Sequence, residues 1–233
     1  MKILLLGANG QLGKELERQL SSVGSVAAFP RSALYITNLK AVADAVRAFQ
    51  PNIIVNAAAY TAVDKAETDA EFAHAVNAEA VQNLAQIAKQ KRLWLIHYST
   101  DYVFDGCKQS PYLEIDAPNP INVYGASKLA GERAIAEAGC QHLIFRTTWV
   151  IGKDGNNFAK TILRLAAERD SLKVINDQLG VPTAPYLISK VTIDAIQAIE
   201  QGKAWPQGIY HLAPQGKSSW NEIAETLIAY AEQ

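Results

Sequence analysis

The amino-terminal segment KILLLGANGQLG reads as strand, glycine turn and helix with no residue to spare between them. Lys2–Leu6 is a short apolar run, and residues 11–23 (QLGKELERQLSSV) carry helical periodicity. Gly7, Gly10 and Gly13 fall at the joint. A chain turns that sharply only where side chains are absent, and backbone N–H groups are approachable only where no Cβ stands in the way. The exposed N–H groups and the positive helix end then favour a phosphate. The spacing G-x-x-G-x-x-G is one residue wider than the commonest dinucleotide fingerprint. Its placement after a strand and before a helix predicts a dinucleotide pyrophosphate on Gly7, Gly10, Gln11, Leu12 and Gly13.

The alternation continues along the chain. Apolar runs at 26–29, 51–58, 92–100 and 142–149 read as further strands, and 38–49, 70–90 and 122–138 as helices, with Asn38 an N-cap. Strands apolar throughout and separated by helices predict an α/β fold, a Rossmann-type doubly wound parallel sheet covered on both faces. Beyond residue 150 the pattern loosens into helices at 156–169, 184–200 and 219–233 and short strands at 172–177 and 208–213. Ser219 followed three residues later by Glu222 is a capping box. Residues 1–150 are therefore expected to form the dinucleotide-binding domain. Residues 151–233 are expected to form mainly a smaller mixed α/β substrate-binding region, interleaved with the first.

Composition narrows the function. A net charge of −1 gives no general attraction to nucleic acid or anionic membrane, and no run reaches the ~20 apolar residues of a membrane span. The two cysteines, Cys107 and Cys140, lack metal-type spacing and fit a reduced, cytoplasmic protein. After the second strand comes Phe29-Pro30-Arg31-Ser32, with no acid to grip a ribose 2′-hydroxyl. Arg31 suits a 2′-phosphate instead, which points to NADPH over NADH.

Tyr124 and Lys128 lie one helical turn apart within NVYGASKLAGE. A free phenol, with pKa ~10, is poorly matched to proton transfer near neutrality, and a neighbouring ammonium favours its ionised form. The pair therefore fits the proton-handling part of a carbonyl reduction. Ser99 and Thr100 end the fourth strand, at the edge where ligands of parallel sheets sit. His97, mid-strand, reads as a buried hydrogen-bonded histidine.

The glycine turn, Asn56-Ala57-Ala58-Ala59, YSTDYVF at 98–104 and the Tyr124/Lys128 pair together resemble the extended short-chain dehydrogenase/reductase family. AAAYTAVDKAE, HYSTDYVFDG, IFRTTWV, GNNFAKTILRLA and VINDQLGVPT narrow the likeness to reductases of dTDP-linked keto sugars. The resemblance implies reduction by NADPH or NADH of the C4 ketone of a dTDP-sugar, dTDP-4-dehydro-L-rhamnose. It implies Tyr124 as proton donor, Lys128 lowering its pKa and holding the nicotinamide ribose, and Thr100 bonding the reacting oxygen. Ala57, Ala58, Ala59 and Tyr60 are then cofactor-binding, and Asp101, Trp149 and Asn157 face the sugar nucleotide. Two alternatives share the scaffold: a sugar-nucleotide epimerase or dehydratase with tightly bound NAD, and a non-catalytic regulatory subunit. The resemblance also implies a homodimer and a C-terminally truncated chain. Family members that hold Mg²⁺ do so through glutamates; Glu15 matches one such place and Tyr186 stands at another, so no metal site is expected.

Overall fold

The structure is a computed structural model that describes residues 1–203 and 206–231. Strands β1 (Lys2–Leu6), β2 (Ser25–Phe29), β3 (Ile53–Asn56), β4 (Trp94–Thr100), β5 (Gln141–Thr147) and β7 (Gly208–His211) form one sheet in the order β2-β1-β3-β4-β5-β7. Every neighbouring pair in it is parallel. Strands in such a sheet meet a helical layer on both sides, which explains why their sequences are apolar without alternation. On one face Leu4, Leu6, Ile54, Leu95 and Ile144 pack against α2 (Leu39–Phe49), α5 (Ala80–Lys91) and α6 (Val123–Ala138). On the other, Ile3, Leu5, Val55, Ile96 and Phe145 meet α1 (Gln11–Leu20) and α8 (Pro185–Glu200).

This order matters for the site. The chain leaves β1 toward β2 on one side and returns to β3 on the other, so the connections diverge at the carboxyl ends of β1 and β3. A crevice opens at such a switch point. The glycine turn follows β1 and Ala57–Tyr60 follow β3, so both face that crevice from the sheet itself.

Two elements depart from the sequence expectation. The helix anticipated over 70–90 is α4 (Ala70–His74), a π-helical turn (Ala75–Glu79) and α5 in succession. At the turn a Cβ on Gly131 of α6 would stand 2.2 Å from the Asn77 carbonyl oxygen, so only glycine admits this approach. Residues 172–177 are not a strand; the strand nearby is β6 (Leu179–Gly180), antiparallel to β8 (Ser218–Ser219). The apolar residues there find no sheet edge, and Ile175 is exposed while its carbonyl accepts from Asn221 N–H. A strand needs a partner for its backbone groups more than it needs β-branched residues.

Helix α7 (Phe158–Glu168) lies against α9 (Trp220–Ala231). Both capping-box bonds at the start of α9 form: Ser219 Oγ accepts from Glu222 N–H (3.1 Å), and a Glu222 carboxylate oxygen accepts from Ser219 N–H (2.8 Å). The last two residues of the expected helix 219–233 lie outside the described residues. No helix among the described residues is long and apolar enough to cross a membrane.

A buried ion pair ties α6 to the sheet. Arg146 of β5 donates from Nε (2.9 Å) and Nη2 (2.6 Å) to the two oxygens of Glu132, and its guanidinium lies 5.1 Å from the Phe104 ring centroid. Removing one partner leaves the other charged and dry. Glu132→Ala is expected to lower unfolding free energy by about 3–5 kcal/mol. Glu132→Leu combined with Arg146→Met should cost far less, as measured by urea denaturation.

Candidate active site

The glycines form a cradle with no room for side chains. Gly7 has φ +80°, and a Cβ there would fall 2.6 Å from Ala58 N, so the β1 and β3 turns touch backbone to backbone. A Cβ on Gly13 would fall 2.0 Å from Gly7 O, which seats α1 directly on the turn. Gly10 is the α1 N-cap and supplies no side-chain hydrogen bond, so the first N–H groups of the helix, from Gln11 and Leu12 on, are not capped by it. These features fit a dinucleotide pyrophosphate.

A cleft of about 120 Å³, open to solvent, extends from the turn and is bordered by Arg31, Tyr35, Ala57–Tyr60 and Phe72. Arg31 is placed by stacking: its guanidinium carbon is 4.7 Å from the Tyr35 ring centroid and 5.8 Å from that of Phe72. Its backbone N–H donates to Asn9 Oδ1 at 3.4 Å. Tyr35 is thus the platform for a cation.

Gln11 and Asn157, assigned from sequence to different ligands, bond to each other. Asn157 Nδ2 donates to Gln11 Oε1 (2.8 Å) and to Gly152 O (2.6 Å), while its Oδ1 caps α7 by accepting from Lys160 N–H. Asp154 bridges to Lys14 and Arg18 of α1. Residues 152–157 therefore form a strap over the start of α1. Trp149 does not offer an open face: it stacks on Trp220 at 3.7 Å between ring centroids, and Gly180 lies against its ring. Its φ of +38° is the left-handed region, uncommon for a bulky residue.

The polar groups converge at the end of β4. Thr100 Oγ1 donates to Asp101 Oδ1 (3.1 Å) and accepts from Tyr102 N–H (3.2 Å), and Thr148 Oγ1 donates to Asp101 Oδ2 (2.6 Å). Burial raises the Asp101 pKa, and the two threonine bonds act against that. The Tyr124 phenol lies beside the Thr100 hydroxyl. The sequence reading had Lys128 lowering the Tyr124 pKa; here desolvation pushes it well above the ordinary phenol value, the neighbouring Thr100 hydroxyl lowers it, and the Asp101 and Tyr102 charges raise it further. The phenol is held protonated. Lys128 is 2% exposed and donates from Nζ to Tyr98 O at 2.7 Å, with His97 Nε2 at 3.2 Å. Burial lowers its pKa to about 8, opposed by the Glu132 carboxylate.

Sequence reasoning passed over Asn77. Its Oδ1 accepts from Tyr60 N–H (2.9 Å), and its Nδ2 donates to Tyr60 O (3.0 Å) and Ser127 Oγ (3.0 Å). Ser127 Oγ donates in turn to Tyr124 O. One side chain thus joins the cleft wall to the helix that carries Tyr124 and Lys128. The π-helical turn that aims it leaves no mark in an Ala-rich helical sequence. Among the described residues no group of three or more His, Cys, Asp or Glu could hold a metal, and the Glu15 carboxylate is engaged by Gln19 and Arg18.

A family model described as RmlD substrate binding domain matches residues 1–233, the cradle included. The dTDP-4-dehydrorhamnose reductase of Escherichia coli (strain K12) is 49% identical, with 100% of this chain and 79% of that protein covered. The enzyme of that name from Salmonella typhimurium is 48% identical over 96% of this chain and 76% of its own. A crystal structure of the dTDP-4-dehydrorhamnose reductase from Bacillus anthracis in complex with NADP superposes with a TM-score of 0.93 at 38% identity, covering 100% of this chain and 81% of that one. The Bordetella bronchiseptica enzyme WbmH in complex with NAD⁺, at 18% identity and a TM-score of 0.83, covering 100% and 81%, shares the fold.

Asn77→Ala leaves two Tyr60 backbone groups without their partner. It is expected to weaken dinucleotide binding roughly five- to a hundredfold, read by fluorescence titration, with the circular dichroism spectrum retained.

Proposed function

The chain belongs to the RmlD substrate-binding-domain family, and from that membership we propose that it reduces the C4 ketone of dTDP-4-dehydro-L-rhamnose to dTDP-L-rhamnose. NADPH or NADH, bound between the glycine cradle and the Ala57–Tyr60 wall, supplies the hydride. Gly7, Gly10, Gln11, Leu12 and Gly13 carry the pyrophosphate. Residues 1–150 hold the cofactor, and 151–233 serve mainly the sugar nucleotide, with β7 and α8 returning to the main sheet.

The observation that carries the reading is the placement of the Tyr124 phenol beside Thr100 at the carboxyl end of β4, one helical turn from buried Lys128. When the ketone becomes an alkoxide, the oxygen needs a proton and a donor that already holds one. Tyr124 is kept in its acid form by burial, so its O–H is present when the alkoxide develops. Thr100, fixed by Asp101 and Tyr102, orients the same oxygen. The phenolate left behind is stabilised by the Lys128 ammonium one turn along α6, which also reaches for the ribose. Asp101 and Asn157 line the sugar side. Trp149 joins them when its stack with Trp220 is exchanged for a sugar face.

Arg31, presented on Tyr35, pairs with a 2′-phosphate and favours NADPH. Two free thiols, Cys107 and Cys140, support a reducing cytoplasmic setting. The assembly is a homodimer, which sedimentation velocity tests.

Tyr124→Phe is expected to lower kcat about 10²–10⁴-fold with nucleotide affinity unchanged, followed as NADPH consumed per dTDP-sugar reduced. Near-normal turnover would remove the tyrosine from the role, and turnover without net nucleotide consumption would mark an epimerase. Arg31→Ala should raise KM for NADPH about tenfold and leave KM for NADH in place, measured by steady-state kinetics with each nucleotide.

A further inference from the structure

His97 is 1% exposed at the centre of the sheet, and the reaction as derived gives it no task. Its two ring nitrogens are nevertheless both committed. Asn56 Nδ2 of β3 lies 3.1 Å from Nδ1, and Lys128 Nζ of α6 lies 3.2 Å from Nε2.

The direction of these bonds follows from donor counting. Asn56 Oδ1 accepts from Ala58 N–H at 3.2 Å, so the face turned to His97 is the amide NH₂, a donor. Nδ1 must then accept. A neutral imidazole carries one proton, which therefore sits on Nε2, pointing at Lys128 Nζ. Burial and the neighbouring lysine both lower the His97 pKa, so the ring stays neutral. The chain Ala58 N–H to Asn56, Asn56 to His97, and His97 to Lys128 runs one way and ends with a donor presented to the amine. An ammonium has no lone pair with which to receive it.

We propose that His97 is a positioning residue for Lys128: through this one-way chain it presses an N–H on the amine and makes the lysine's third proton the readily lost one. Nζ keeps its place by donating to Tyr98 O whether it carries two protons or three. The titratable groups about Lys128 are His97 on β4, Tyr124 one turn back on α6, and Glu132 one turn on. Both Glu132 oxygens are held by Arg146 of β5, which limits its pull toward the ammonium. The neighbouring β3 and π-helical turn offer the neutral Asn56 and Asn77. The chain also couples the amine to the cofactor wall, since its first donor is the backbone of Ala58, which touches Gly7 of the cradle.

The inference rests on the proposed reductase function for its kinetic readout only. In protein labelled at the ring nitrogens of its four histidines, two-bond ¹H–¹⁵N correlation should show His97, assigned by loss in His97→Gln, as the neutral Nε2–H form from pH 6 to 9. An Nδ1–H form or a charged ring would overturn the proposal, and no turnover is needed to see it. In kcat/KM against pH, the wild-type alkaline limb should fall near the Lys128 value of about 8. His97→Phe should move that limb upward by about one pH unit. His97→Gln, whose carboxamide can accept from Asn56 and donate to Lys128, should restore it. A limb that stays put in His97→Phe, or moves equally in both variants, would refute the assignment. If His97→Phe fails to fold by circular dichroism, the tautomer decides alone. Loss of the wild-type limb itself, or an active Tyr124→Phe, would instead count against the reductase reading.

Discussion

Everything in the crevice depends on three backbones meeting without side chains between them. Gly7, Gly13 and Ala58 approach so closely that a Cβ on either glycine would overlap main-chain atoms. The contact sets where α1 begins, how far the β1 and β3 turns spread, and how deep the cleft between them runs. A parallel sheet offers such a meeting only where the strand order reverses, here between β1 and β3. Fold and proposed phosphate site are therefore one constraint: the same glycines that let the chain turn expose the N–H groups of α1.

The second requirement is a charge placed where water is absent. Lys128 sits between the sheet and the helical layer, and burial lowers its pKa toward physiological pH, favouring the neutral amine. The fold responds with a carbonyl acceptor, Tyr98 O, and with Glu132 at a distance, while keeping the nearer carboxylate oxygens occupied by Arg146. The result is an amine poised near neutrality rather than a fixed cation. Nearby, desolvation raises the pKa of half-buried Asp101 as well, and two threonine hydroxyls act against that. Perturbed groups gathered at one strand end are the signature of a site arranged for proton movement.

Much of this was legible in the residues. The strands announced themselves because burial on both faces demands unbroken apolar runs, and the glycine turn because no other residue fits it. Asn38, Asn122 and Asn157 each accept the N-cap bond that their position before a helix suggests. What stayed hidden depends on partners distant in the chain. Val174 and Ile175 have strand-forming side chains, yet whether a sheet edge is free to receive them is a property of the whole fold. The stack of Trp149 on Trp220, and the bond from Asn157 to Gln11, join segments with no local signal of each other. The π-helical turn at Ala75–Glu79 is set by the approach of Gly131 on another helix.

The reversal at Tyr124 has the most bearing on chemistry. Helical spacing suggested that the lysine would ease the phenol toward its ionised form. Burial works in the other direction, and the ammonium meanwhile faces His97 and Tyr98 O. For a reductase this is the useful arrangement. A phenol ionised in advance would have no proton to give to a developing alkoxide, whereas a neutral phenol in the role proposed for Tyr124 would give its proton as that charge appears. The cost then falls on the phenolate, and it is the mobile proton of Lys128, one turn away, that can relieve it. Acid and amine are thus tuned apart by the same dry environment, the first raised and the second lowered, which makes proton transfer from the ammonium to a phenolate downhill.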